Sequence, residues 1–307
     1  MPVSARSARP HGWILALLAA TLALLLQQSA AAAAPPPAAV DLDKFETLKK
    51  IVALPDGVKL AYVSWGDPAG KPVVLIHGYT DNALDWVPLL PYFTKTDRLI
   101  VVDIRGHGKS SKPECCYTRF NLAYDIKLLL DALHIPKADI VGHSMGSIIA
   151  QTLAEFWPEQ INHLVLVSST ALPLQYDATW IRNLKSTPGA DSAQMVAWFS
   201  SPTPVNPDIL RRQRRDASAI PLQIWLAVLD QGLQNVELQS TLPRLKAPTL
   251  LIWGSEDFIM KAPDREALRA ALPDAKVKIF DGLGHNPFWE QPAAVGDLIN
   301  RFLDATP

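Results

Sequence analysis

Short, largely apolar runs recur along this chain at residues 73–76, 98–102, 138–141, 163–167 and 249–253, the first of them apolar at every position, and segments with helical spacing separate them. A strand apolar on both faces has to be covered on both faces. A helix between successive strands is the crossover that parallel pairing requires. The pattern therefore predicts an α/β fold, with a mostly parallel sheet between helical layers. The clearest helix is 121–133, where Leu122, Ile126, Leu129, Leu130 and Leu133 share a face. Further helices are expected over 83–94, from Met145, over 264–271 and over 292–303, with a last strand at 276–280. Near the start, runs at 49–54 and 58–65 flank Pro55-Asp56-Gly57, a turn that closes a hairpin.

The rhythm fails between residues 171 and 241, which are helix-like, punctuated by proline and carry Trp180, Trp198, Phe199 and Trp225. Strands on both sides of this stretch are needed for one sheet. It therefore reads as a cap inserted into a core formed by 42–170 and 242–305. Residues 1–34 stand apart. Arg6, Arg9 and His11 precede an apolar stretch at 13–26 and small residues at 29–34, the three parts of a secretory signal peptide. Its apolar part is shorter than the ~20 residues that span a bilayer. An exported enzyme without a membrane span after processing and without a diffusible cofactor is expected, and no metal-ligand motif is read. A net charge of −1 over 307 residues gives no electrostatic basis for a nucleic-acid partner. The run Arg211-Arg212-Gln213-Arg214-Arg215 reads as a solvated helix face. The two cysteines, Cys115 and Cys116, are adjacent and are expected as a pair of loop thiols rather than as a rare vicinal bridge.

Chemistry concentrates after the strand at 138–141, in Gly142-His143-Ser144-Met145-Gly146. Gly-x-Ser-x-Gly between a strand and a helix puts a serine on a sharp turn with its hydroxyl exposed. Such a hydroxyl needs a base, and the base needs a carboxylate to fix its tautomer. In an open sheet both partners have to lie beyond strand carboxyl ends. Past the strand at 249–253 stand Glu256 and Asp257, and past the last strand Asp281-Gly282-Leu283-Gly284-His285 presents the base, His285. An oxyanion would be met by the amide of Met145 and by that of Tyr79, in the loop His77-Gly78-Tyr79-Thr80. His107 is expected to hold its turn, and His143 to pack against or hydrogen-bond the serine turn. His134 and His163 read as structural.

With these motifs in order, the chain resembles the α/β-hydrolase superfamily, in particular members with a helical cap after the sixth strand. The resemblance rests on His77-Gly78-Tyr79, Asp103-Ile104-Arg105-Gly106-His107-Gly108-Lys109-Ser110, Gly142-His143-Ser144-Met145-Gly146, Trp253-Gly254-Ser255-Glu256-Asp257 and Gly284-His285-Asn286-Pro287. It implies an eight-stranded, mostly parallel sheet, with Ser144 as nucleophile, Asp257 rather than Glu256 as the orienting acid, and His285 as base. Asp103 is then a structural residue. Relatives with an aspartate nucleophile, the haloalkane dehalogenases and capped epoxide hydrolases, differ at Ser144. Proline iminopeptidase-like enzymes carry a tryptophan where this chain has Met145. Hydrolysis of a small, apolar carboxylic ester is the expected activity. The alternatives are carbon–carbon, lactone or amide hydrolysis or perhydrolysis on the same residues, and a binding protein on a hydrolase scaffold.

Overall fold

The computed structural model describes Met1, residues 37–236 and residues 238–305. Apart from Met1, the expected signal peptide lies outside the described residues. Two compact units are separated, Met1–Pro37 and Ala38–Pro307, and the elements below all belong to the second.

A short helix, α1 (Leu42–Thr47), leads into β1 (Lys50–Ala53), β2 (Lys59–Gly66), β3 (Lys71–Ile76) and β4 (Asp97–Asp103). Then follow α2 (Arg119–Ala132), β5 (Ala138–His143), α3 (Met145–Phe156) and β6 (Ile161–Val167). After a long insertion come β7 (Thr249–Gly254), α8 (Ala262–Ala271), β8 (Lys276–Phe280), α9 (Pro287–Glu290) and α10 (Pro292–Asp304). The strands form one eight-stranded sheet in the order β1-β2-β4-β3-β5-β6-β7-β8. Pairing is antiparallel at β1–β2 and β2–β4 and parallel from β4 to β8. The fold class expected from the apolar runs is borne out. Every residue of β5 and β7 is buried, because helices cover both faces of the central strands. Edge strand β8 is exposed at four of its five positions and carries Lys276 and Lys278, charges that oppose edge-to-edge pairing.

Registry aligns the strand ends that matter. Ile76 lies beside Gly142, Gly142 beside Leu166, and Val167 beside Ile252, so β3, β5, β6 and β7 open on a common crevice. The insertion between β6 and β7 holds α4 (Thr179–Arg182), α5 (Ala193–Trp198), α6 (Pro207–Ser218) and α7 (Leu222–Ala227), the last running into a π-helical turn, Val228–Leu233. The arginine run lies on α6. Arg211 and Arg215 are exposed, while Gln213 faces inward, as expected of a solvated face. Among the described residues, no helix is long and apolar enough to cross a membrane.

Two expectations fail. The helix over 83–94 is instead two separate 3-10 turns, Ala83–Trp86 and Leu90–Tyr92. Pro88 and Pro91 supply no N–H to a helical ladder. The first turn is capped at its start, the amides of Ala83 and Leu84 donating to the carboxylate of Asp103 and the side chain of Asn82, both at 2.8 Å. Cys115 and Cys116 are joined in a vicinal disulfide rather than standing as two thiols. Their loop is pinned on both sides. Arg105 donates to the Cys116 carbonyl at 3.0 Å, the Tyr117 amide donates to Gln231 at 3.2 Å, and the Tyr117 hydroxyl donates to the Pro113 carbonyl at 2.7 Å.

Candidate active site

Ser144 follows β5 directly and caps α3 with φ +50° and ψ −117°, a left-handed conformation that non-glycine residues rarely adopt. The turn is held by its glycines. A Cβ at Gly142 would stand 2.3 Å from the Gly146 carbonyl oxygen, and one at Gly146 would stand 2.1 Å from the Ile76 carbonyl oxygen. Behind the turn, Ser147 Oγ bonds the Ser144 carbonyl (2.5 Å) and Ser169 Oγ (2.6 Å), and Gln151 Nε2 reaches the same Ser169 at 2.9 Å. Met145 opens α3, so its amide has no acceptor within the helix.

His285 projects from the loop between β8 and α9, and Asp257 from the loop between β7 and α8. His285 Nδ1 lies 2.9 Å from each carboxylate oxygen of Asp257. Oδ1 of Asp257 also accepts from the amides of Ile259 and Met260, at 2.9 Å each. Burial opposes a charge on this carboxyl, but the facing His285 and the two amides outweigh it, and the group titrates below its ordinary range. Glu256 is exposed, whereas Asp257 is buried, which separates the two acids that sequence left side by side. The backbone carbonyl of His285 accepts from Ser168 Oγ (2.7 Å) and from His143 Nε2 (3.1 Å). Ser144 and His285 line one pocket; no hydrogen bond joins their side chains among the described residues.

That pocket is narrow, with a cavity volume of about 40 Å³, and is walled chiefly by Leu174, Trp198, Phe199, Leu233, Met260 and Trp289. Four of these come from the insertion. Trp180 and Trp225 are not among the lining residues; Trp225 is buried with its ring edge-on to Tyr79. The loop after β3 is tied to the insertion at three positions. Tyr79 donates its hydroxyl to the Trp225 carbonyl (2.8 Å), Trp198 Nε1 donates to Thr80 Oγ1 (2.9 Å), and Asn82 Nδ2 donates to Asp216 (3.0 Å). Of the expected oxyanion donors, Tyr79 lines the pocket with Ser144, and Met145 opens α3 as the next residue in the chain.

Sequence reading missed a cluster under this loop. Asp81, Asp85 and His143 are all buried and bring one ligand-type atom each within 4.8 Å of one another, distances that would admit a small cation. His143 Nδ1 is 3.1 Å from Asp85 and 3.9 Å from Asp81. Burial first, and Asp85 second, push the Asp81 carboxyl well above its usual range. The other histidines act locally. His77 Nδ1 donates to the Gly78 carbonyl while its Nε2 accepts from the Ile104 amide, and His107 Nδ1 donates to the Arg105 carbonyl. Burial lowers these two to about 3 and about 4. His163 pairs with Asp139 at 2.8 Å, and His134 ends α2 in a left-handed conformation. Asp103 is buried beneath Lys49 (2.8 Å) and the Lys109 and Ala83 amides, a structural anchor as expected.

The model of the alpha/beta hydrolase fold family matches residues 71–292. The chain belongs to this family. An uncharacterised protein of Mycobacterium tuberculosis is 30% identical over 261 residues, covering 78% of this chain and 76% of that protein. A monoacylglycerol lipase of Xenopus laevis is 24% identical over 270 residues, covering 80% of each. Among solved structures, a hydrolase from Pseudomonas aeruginosa superposes with a TM-score of 0.73 at 27% identity, covering 84% of this chain and 98% of that one. The expected superfamily is therefore shown, and with it a hydrolase scaffold for the pocket described above.

Proposed function

We propose that the protein is an exported serine hydrolase that cleaves carboxylic esters through an acyl-enzyme on Ser144, with residues 171–241 as a cap over the site. The observation that carries this reading is the buried Asp257–His285 pair, opening on the same pocket as the left-handed Ser144. In the proposed cycle Asp257 holds the proton of His285 on Nδ1 and leaves Nε2 free as base. His285 takes the Ser144 proton as Oγ adds to the ester carbonyl. The amides of Met145 and Tyr79 meet the oxyanion, a contribution of about 3 kcal/mol for each donor. His285 then passes its proton to the leaving alkoxide, and water repeats the sequence on the acyl-enzyme, returning Ser144.

An apolar wall of tryptophan, phenylalanine and leucine suits an apolar acyl or alcohol group, and the similarity to a lipase supports ester chemistry. Export rests on the charged, apolar and small-residue segments of residues 1–34. Ser144→Ala is expected to abolish hydrolysis of 4-nitrophenyl butyrate and labelling by a fluorophosphonate probe. Hydrolysis or labelling that survives this substitution rejects the mechanism.

A further inference from the structure

The backbone around His285 is held from two directions. On the carboxyl side, the His285 carbonyl accepts from Ser168 Oγ and His143 Nε2, which stand at the ends of β6 and β5. On the amino side, the Gly284 amide donates to Glu290 Oε1 at 2.7 Å, a bond that closes residues 284–290 on themselves. Glu290 ends α9, and its second oxygen, Oε2, accepts from Thr203 Oγ1 at 2.5 Å. Thr203 lies in the insertion, between α5 and α6. One carboxylate therefore joins the peptide ahead of the base to the insertion over the pocket.

The two pieces also touch on either side of this link. A Cβ at Gly284 would stand 2.6 Å from Pro202 Cδ, so the insertion rests directly on the backbone beside His285. The rings of Phe199 and Trp289 stack at 6.5 Å with 9° between their planes, and both line the pocket. Apolar contacts of this kind set a separation but leave the loop free to rotate. Directional hydrogen bonds from both sides of one carboxylate fix its orientation as well. Orientation is what the base needs, since His285 Nδ1 has to meet Asp257 while Nε2 faces Ser144. Thr203 and Glu290 are both half-buried, so water replaces either partner when the bond is lost, and little stability depends on it.

We propose that Glu290 is a positioning residue that ties the base His285 to the seating of the insertion through Thr203. This rests on the hydrolase reading above. Glu290→Ala is expected to lower kcat for 4-nitrophenyl butyrate about thirtyfold, with KM within about threefold of the parent. His285 acts in both halves of the cycle, so the loss falls on kcat whichever half limits. Glu290→Gln should stay within about threefold of the parent, because its carbonyl still accepts from Gly284 and its NH2 group donates to the Thr203 hydroxyl. Thr203→Val removes only the insertion's end of the link. It is expected to lower kcat about fivefold alone and no further when added to Glu290→Ala.

A merely structural role would lower the melting temperature and leave kcat per folded molecule unchanged. That result overturns the proposal, as does a glutamine variant as slow as the alanine one, or a Thr203→Val effect that adds in full to Glu290→Ala. If Glu290→Ala does not fold, parental kcat in Thr203→Val overturns it. The ring of His285 is also read directly by NMR on protein carrying carbon-13-labelled histidine, its Cε1–H line assigned by its loss in His285→Gln. A line shifted or split in Glu290→Ala and restored in Glu290→Gln supports the assignment even if the parent hydrolyses no probe and the hydrolase reading fails. A line unmoved in Glu290→Ala overturns it.

Discussion

Replacing Asp257 by asparagine tests the proposed machinery at one atom. The two carboxylate oxygens are not equivalent. Oδ1 accepts from the amides of Ile259 and Met260, at 2.9 Å each, while Oδ2 meets His285 Nδ1 alone at 2.9 Å. An asparagine in this place has to put its oxygen where Oδ1 was, since the reverse orientation would aim an NH2 group at two backbone N–H groups. Its NH2 group then lies where Oδ2 was and donates to Nδ1. Because Nδ1 lies 2.9 Å from both positions, a proton there would keep one acceptor but face a donor at the other, which favours the imidazole proton on Nε2, the nitrogen required as base. The expected loss in kcat is about 10⁴-fold, a barrier increase of about 5.5 kcal/mol, with the site geometry preserved. Steady-state hydrolysis of 4-nitrophenyl butyrate, with a melting curve to confirm folding, makes the measurement. A folded Asp257→Asn protein retaining more than a tenth of parental kcat would refute the tautomer argument.

Gly146→Ala places a methyl group 2.1 Å from the Ile76 carbonyl and 2.6 Å from that of His77, both backbone, so a loss of about 4 kcal/mol or more is expected in a urea melt. Trp198→Phe removes the donor to the buried Thr80 hydroxyl while keeping a ring in the wall; about 1 kcal/mol of stability should go, with KM for an apolar ester raised. Acid should weaken the fold through His77 and His107, whose folded values of about 3 and about 4 lie below the ordinary 6.5. Between those limits the unfolded chain binds more protons, so stability rises with pH up to about 6.5 and this contribution is flat above it. At pH 5 the loss is about 2 kcal/mol for each histidine, and His107→Gln should remove about half of the slope. A variant with the parental slope would refute that assignment.

The central strands and the Ser144 turn were legible because each is dictated locally. A run buried on both faces is largely apolar, and a turn with no space for Cβ atoms has to be glycine. The places of Asp257 and His285 beyond β7 and β8 were legible because an open sheet confines candidate site groups to strand ends. What sequence did not show depends on partners distant along the chain. The stretch at 83–94 is the exception, since Pro88 and Pro91, which interrupt its ladder, stand in the sequence itself. Asp81 and Asp85 look like ordinary loop acids until β5 brings His143 between them. The peptide between Cys116 and Tyr117, beside the vicinal disulfide, is likewise held by Arg105 and by Gln231.

The three hydrogen bonds from Tyr79, Thr80 and Asn82 to the insertion have a bearing on how such proteins can be recombined. Replacing only the stretch between β6 and β7 with its counterpart from a relative would strand the buried Tyr79, Thr80 and Asn82 side chains together, each at about 1–3 kcal/mol. Residues 79–82 and the insertion therefore form one exchangeable module, although more than ninety residues of chain separate their beginnings. A chimera that transplants both pieces should tolerate the graft, because the polar groups travel with their partners.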